Sequence, residues 1–122
     1  MAVEFYNFFY SSVSQPAEIA NSGIYLQPGE EVLLEKSINH DGILYTLIIQ
    51  IPSGVNGDAL FQISVNSKQI FPSEGWFTGN GTVLQIPIYE EVKRGDKLYV
   101  RAINRGSQPH FIYVQIGQII QS

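Results

Sequence analysis

Turn-forming residues recur along this 122-residue chain at intervals close to the roughly 8–12 residues that are typical of an all-β sandwich or barrel. Glycine, proline, asparagine and aspartate dominate these positions because each favours a tight backbone turn. The predicted turns are Gln27-Pro28-Gly29, His40-Asp41-Gly42, Pro52-Ser53-Gly54, Asn56-Gly57-Asp58, Asn66-Ser67, Gly79-Asn80-Gly81, Arg94-Gly95-Asp96 and Gly106-Ser107. The spacing therefore favours many short strands over a helical or mixed fold.

The runs between these turns are rich in β-branched and aromatic residues, which suit a pleated sheet. They predict strands at 3–10, 31–38, 43–51, 60–66, 68–71, 82–88, 97–104 and 110–119. The sequence shows no convincing helical period, and residues 15–20 could hold one helical turn at most. About eight antiparallel strands in a single domain of residues 1–122 favour a jelly-roll (Greek-key) β-sandwich. An immunoglobulin-type sandwich is the alternative, although its Cys–Trp–Cys arrangement is missing.

Four predicted strands show a period-two pattern, so each is expected to bury one face. The residues expected to share a buried face within each strand are Phe61, Ile63 and Val65; Leu84, Ile86 and Ile88; Leu98, Val100 and Ala102; and Ile112, Val114 and Ile116.

The segment 43–51 breaks this alternation because both of its faces are largely apolar. Strict alternation would place Ile43, Tyr45, Leu47, Ile49 and Ile51 on one face and Leu44, Thr46, Ile48 and Gln50 on the other. A two-sheet sandwich buries only one face of each sheet. The second face is therefore expected to be covered by the N-terminal segment or by another subunit.

The N-terminal run 5–10 is predicted to cover that face, since aromatic residues occur at both odd and even positions along it. Residues 1–13 are accordingly predicted to form an inter-subunit arm or an edge strand. The apolar residues predicted to contact a neighbouring subunit are Phe5, Tyr6, Phe8, Phe9, Tyr10, Tyr45, Leu47 and Ile49.

Composition excludes several classes of protein. Hydrophobic residues make up 44% of the chain and charged residues only 15%, against about 25% in an average soluble domain. Cysteine is absent, which excludes disulfides, thiolate metal sites and cysteine nucleophiles. No apolar run approaches the roughly 20 residues of a membrane-spanning helix, and the N-terminus lacks the basic and apolar regions of a signal peptide. We therefore expect no membrane partner and no secretion signal.

The sequence predicts no catalytic, cofactor-binding or metal-binding residues. His40 and His110 lie 70 positions apart beside turns and are expected to be exposed loop histidines rather than ligands. Glu30-Glu31 and Glu90-Glu91 are adjacent pairs, which point to opposite faces of a strand and do not form an acid–base couple. An enzyme, such as a metal-dependent cupin-like sandwich, is the least favoured class because cupin sites need several histidines on strands.

Charge is distributed unevenly along the chain. Residues 1–91 carry ten acids against Lys36 and Lys68, a balance of −8, whereas residues 92–122 carry five basic residues against Asp96, a balance of +4. The net charge of −4 argues against a nucleic-acid partner. The basic residues predicted to orient docking onto an acidic neighbour or host surface are Lys93, Arg94, Arg101 and Arg105.

The only tryptophan lies in the glycine-rich connection 71–79. Trp76 and Phe77 could contact a glycan, Trp76 could be an interface hot spot, or Trp76 could close one end of the sandwich. These three interpretations stay open at the level of the sequence.

Four stretches together resemble the second half of a compact trimeric jelly roll. They are residues 42–51, 61–70, 92–100 and 111–116, with a Val-Asn-Ser-Lys hairpin at 65–68 and a Gly-Asp-Lys-Leu-Tyr-Val turn into a strand at 95–100. This order of strands and turns is similar to that of tumour necrosis factor-like and complement-type globular heads. It is also similar to that of small jelly-roll domains on spore and phage particles. Ser67 stands where the hairpin glycine of those domains is usual. The resemblance implies a homotrimer packed through apolar sheet faces and no catalytic residues.

These observations lead to the expectation of a non-enzymatic virion structural protein, made in the host cytoplasm. It would self-assemble as a trimer and dock on a capsid or another virion protein as a phage decoration, fibre or tail component. A carbohydrate-binding or adhesin module that uses exposed aromatics around Trp76 is the alternative.

Overall fold

A computed structural model describes residues 2–13 and 23–121, and within these ranges the chain is all-β, with ten strands and no helix. The possible helical turn at 15–20 lies outside the described residues. The strands are β1 (Val3–Asn7), β2 (Tyr10–Ser11), β3 (Ile24–Leu26), β4 (Glu31–Ser37), β5 (Gly42–Ile51), β6 (Ala59–Val65), β7 (Lys68–Phe71), β8 (Thr82–Val92), β9 (Lys97–Asn104) and β10 (His110–Ile120). The predicted β-sandwich is confirmed.

The strands form two sheets. The six-stranded sheet has the order β2-β3-β10-β5-β8, and β1 also pairs with β10. β1 and β3 share the edge of β10 that faces away from β5, because β1 pairs with 115–119 and β3 with 110–112. The four-stranded sheet has the order β4-β9-β6-β7.

The core lies between the two sheets, where alternate residues of each strand meet. The buried faces predicted for β6, β9 and β10 are confirmed, since their inward residues are at most 6% exposed. In β8 the inward residues Leu84, Ile86 and Ile88 are half-buried and pack against the same core. Period-two alternation therefore located four of the buried faces correctly.

The face assignment for segment 43–51 is wrong, because β5 contains a β-bulge. Its register with β8 shifts between Leu44 and Thr46, and the register of β10 with β5 shifts between Gly117 and Gln118. The extra residue changes which parity faces inward, so Leu44 and Leu47, three positions apart, are both fully buried. The core side of β5 is formed by Leu44, Leu47, Ile49 and Ile51.

Three larger differences from the predicted strands lie outside β5. The expected strand 3–10 is interrupted at Phe8-Phe9, where the chain leaves β10 to form the short parallel pair of β2 with β3. The strand β3 was not predicted from the sequence. β8 continues to Val92, so that Glu90 and Glu91 are strand residues and point to opposite sides.

Candidate functional site on the outer sheet faces

The outer face of the six-stranded sheet carries almost no charge. Cross-strand pairs place Gln115 beside Ile48, Tyr113 beside Gln50, and Gln85 beside Ile48 on the side opposite the core. We call this surface the uncharged face, and it comprises Val3, Phe5, Asn7, Tyr25, Ile43, Tyr45, Ile48, Gln50, Val83, Gln85, Pro87, Tyr89, Phe111, Tyr113, Gln115 and Ile119. Glu91 lies at its margin, opposite Ile43.

Aromatic rings cover much of the uncharged face. Phe5 and Tyr45 meet edge to face, with their ring centroids 6.5 Å apart. The ring centroid of Phe111 lies 4.4 Å from that of Tyr25 and 5.9 Å from that of Tyr113. Gly117 permits the first contact, because a Cβ there would lie 2.9 Å from the Phe5 ring and 3.0 Å from the Tyr45 ring. Val83 and Tyr89 are 71% and 69% exposed at the β8 edge. Such an exposed aromatic surface is typical of a protein interface.

The N-terminal segment does not cover this face. β1 extends the sheet at the edge of β10 rather than lying across β5. Four predicted subunit contacts are instead covered by the chain's own core, since Tyr6, Phe8, Leu47 and Ile49 are at most 3% exposed. These four residues are therefore removed from the candidate interface; Phe5 and Tyr45 remain on the uncharged face.

The other two N-terminal aromatics lie beside the uncharged face. Phe9 is 45% exposed, and the Lys36 ammonium lies 5.9 Å from its ring centroid. The half-buried Tyr10 hydroxyl donates a hydrogen bond of 2.7 Å to the Glu30 carboxylate. A cavity of about 380 Å³ opens where β1 ends, and it is lined by Asn7, Phe9, Ile48, Gln50, Tyr113 and Gln115 among others.

The four-stranded sheet presents a different outer face. Acidic and basic side chains alternate across it, with Lys97 Nζ 3.7 Å from Glu35 and Arg101 Nε 3.8 Å from Glu31. Tyr99 and the 57% exposed Leu33 lie among these charges. Mixed charges on exposed strands favour contact with water, so the two outer faces of the sandwich differ sharply in polarity.

The structure does not gather the predicted basic residues into one patch. Lys93 and Arg94 are exposed in the turn between β8 and β9, Arg101 lies midway along β9, and Arg105 follows its other end. The eight residues of β9 span about 27 Å. These basic residues are therefore spread along the strand, because successive strand residues advance by about 3.4 Å each. That they orient docking stays a prediction.

Trp76 and Phe77 occupy different environments. Phe77 forms an isolated bridge with Phe61, and its ring lies 5.5 Å from Phe61 and 5.1 Å from Phe71. Phe77 thus packs against the core and is not positioned to contact a glycan. Trp76 is half-buried, and the loop before it is fixed by hydrogen bonds from the Gln62 and Gln69 amides to the Gly75 carbonyl.

A polar network fastens β1 to the rest of the sandwich. The Tyr6 hydroxyl donates to Gln118 Oε1 at 2.7 Å and accepts the Asn39 backbone N–H at 3.0 Å. Burial raises the pKa of Tyr6, and the nearby Glu4 carboxylate adds to that effect. Glu4 in turn lies 3.1 Å from His40 Nε2. These contacts hold the arm in the sheet and offer no open site for a substrate.

The histidines differ from the prediction in one respect. His40 is exposed, as expected, but the His110 side chain is only 10% exposed and lies 3.4 Å from Asp58. Within residues 2–13 and 23–121, no group of three or more His, Asp or Glu side chains could hold a metal ion. The same residues include no helix long and apolar enough to span a membrane.

No family model matches the chain. No curated protein shows significant sequence similarity to it.

Proposed function

We propose that this chain is a non-enzymatic structural protein that self-associates through the uncharged face as a homotrimer and decorates a virus particle, as a phage capsid decoration, fibre or tail component. The observation that carries the self-association is the contrast between the two outer faces of the sandwich. One is aromatic and carries only Glu91 at its margin, whereas the other carries the ion pairs Lys97–Glu35 and Arg101–Glu31.

The uncharged face is large enough for a stable interface. The ten-residue strand β5 gives it a length of about 34 Å, and four adjacent strand positions give it a width of about 19 Å. The resulting area of about 650 Å² is of the order of the roughly 800 Å² that each partner buries in a standard-size interface. A second copy is the favoured occupant because an uncharged surface meets its own copy without repulsion between like charges.

The order of the strands supports the jelly-roll interpretation. With β3 taken as the first strand of eight, the two sheets read 1-8-3-6 and 2-7-4-5. The first and last strands are then neighbours, as in a doubled Greek key. This order agrees with the resemblance to trimeric jelly rolls, which is also the basis for proposing a trimer and a virus particle as the location.

The interface is tested by placing a charge at the centre of the uncharged face. Ile48→Arg should convert the trimer into a monomer, because a guanidinium buried there would have no partner. Leu33→Arg is the matched control, since Leu33 is an exposed aliphatic residue on the other sheet. Sedimentation velocity measures the oligomeric state of both variants. An Ile48→Arg protein that keeps the wild-type mass contradicts the assignment of the interface.

The proposed location requires a separate experiment. An antiserum against the purified chain should label the surface of particles isolated from lysates of the source culture, as seen by immunogold electron microscopy. Antiserum depleted on the purified chain is the control. Particles that contain no trace of the chain by mass spectrometry would contradict the virion proposal while leaving self-association intact.

A further inference from the structure

A shallow groove on the outer face of the four-stranded sheet combines an aromatic ring with hydrogen-bonding side chains. It has a volume of about 540 Å³ and lies over β9 and β6, between Leu33 and the β6–β7 turn. Tyr99 lines it together with Gln62, Ser64, Asn66, Ser67 and Arg101. An aromatic platform surrounded by hydroxyl and amide groups is suited to a ligand with one apolar face and many hydroxyls.

The loop that precedes Trp76 is tied to the groove. Phe77, the residue after Trp76, forms an isolated bridge with Phe61 of β6. The Gly75 carbonyl accepts a hydrogen bond of 2.8 Å from the Gln62 amide, which itself lines the groove. Trp76 therefore directly follows a residue that is hydrogen-bonded to the lining of the groove.

The charges around the groove balance. Arg101 Nε lies 3.8 Å from Glu31 Oε2, and Lys97 Nζ lies 3.7 Å from Glu35 Oε2. Glu31 would repel an anionic ligand held by Arg101, whereas an uncharged hydroxyl can donate to the carboxylate and accept from the guanidinium. The Arg101–Glu31 pair is long and both side chains are 48% exposed, so the guanidinium keeps N–H groups for a ligand.

We infer that this groove binds a neutral saccharide, with one sugar ring stacked on Tyr99 and its hydroxyls bound by Arg101, Ser64 and the neighbouring amides. Trp76 extends the platform for a second sugar unit. The site lies on the sheet opposite the uncharged face and remains accessible when that face is covered. It would let an assembled particle component attach to a glycan, and it does not depend on the self-association being correct.

The test begins with the purified protein on an array of neutral oligosaccharides of glucose, mannose and galactose, alongside sialylated and sulfated glycans. The best neutral oligosaccharide is then titrated in solution by calorimetry, which avoids multivalent binding. Tyr99→Ala should weaken affinity at least tenfold, and Tyr99→Phe should retain it because the ring is kept. Arg101→Gln, at an exposed position, should weaken affinity several-fold without affecting the fold.

Arg94→Gln is the matched control for Arg101→Gln, because it removes an exposed arginine from the turn between β8 and β9, outside the groove. Its affinity per subunit should equal that of the wild type. Binding of acidic glycans alone would overturn the proposed neutral ligand, and absence of binding to every glycan would overturn the site. Affinity that survives both Tyr99→Ala and Arg101→Gln would also exclude this groove. Thermal melts of each variant separate a lost site from a lost fold.

Discussion

Two polar side chains, each with several hydrogen-bond partners, connect segments of this sandwich. Asn104 is fully buried, and its amide donates to the carbonyls of Leu26 and Gln108 while its oxygen accepts the Gly106 N–H. Glu30 has a similar role at the sheet edge, where its carboxylate accepts the Gln27 N–H at 2.9 Å and the Tyr10 hydroxyl at 2.7 Å. Each residue therefore connects its own loop to a segment that is distant in sequence, Asn104 to Leu26 and Glu30 to Tyr10.

The Glu30 contacts predict a pH dependence of stability. Burial opposes ionisation of this carboxyl, but hydrogen bonds from Gln27, Tyr10 and Ser12 outweigh it, so the pKa of Glu30 lies below its usual value of 4.5. A lowered folded-state pKa means that the stabilisation is complete above 4.5 and is lost as the pH falls through the folded-state value. The free energy of unfolding of wild type should therefore fall more on acidification than that of Glu30→Gln.

Urea unfolding at a series of pH values measures this difference. Glu74→Gln, which changes an exposed carboxylate in a loop, is the control and should follow the wild-type curve. Equal acid sensitivity of wild type and Glu30→Gln would show that the Glu30 hydrogen bonds do not stabilise the fold.

At the scale of the element, local alternation predicted some features and missed those that depend on pairing. The inward residues of β6, β9 and β10 could be read from the sequence because period two is a local property of a strand. The bulge at Tyr45 could not be predicted from the sequence, because it depends on how β5 pairs with both β8 and β10. The three-residue β3 is too short to give a pattern and is defined by its pairing with β10.

The same reasoning applies to the N-terminal segment, which was predicted to be an inter-subunit arm or an edge strand and forms the strand β1 at the edge of β10. Only the expectation that it covers the outer face of β5 is wrong. A run of aromatics at 5–10 indicates burial but not which surface buries them. The backbone of β1 hydrogen-bonds to the edge of β10, and this pairing determines which side chains are buried. Tyr6 points inward and Phe5 points outward. β1 therefore leaves the outer side of the doubly apolar β5 uncovered, and the candidate interface became visible only from the structure.

Attachment of β1 depends on the Tyr6 hydroxyl, which makes two hydrogen bonds across the sheet edge. Tyr6→Phe keeps the buried ring but leaves Gln118 Oε1 and the Asn39 N–H without that partner. We expect the free energy of unfolding to fall by about 1–3 kcal/mol and the amides of β1 to exchange faster with deuterium.

Hydrogen exchange followed by mass spectrometry locates the effect. Tyr89→Phe is the matched control, because its hydroxyl is exposed and makes only a long 3.4 Å contact with Glu91. Unchanged protection of β1 in Tyr6→Phe would mean that the backbone pairing with β10 alone holds the arm.

At the scale of the whole molecule, the two outer faces of the sandwich suit two different partners. We propose a second copy of the chain as the partner of the uncharged face, and a hydroxyl-rich ligand as the partner of the groove on the charged face. Composition had indicated a poorly charged protein, but the separation of charge onto one sheet depends on strand order. The basic residues clustered at 93–105 show the converse, since a cluster in sequence becomes dispersed along a strand.

The mass of the wild-type protein in solution tests the central claim most directly. Multi-angle light scattering should give about 41 kDa, three chains of 13.7 kDa, and the value should be the same at low and high salt. Salt independence is expected because the uncharged face offers no ion pairs to screen. A mass of 13.7 kDa across the concentration range, or a trimer that dissociates in salt, would contradict assembly through this face.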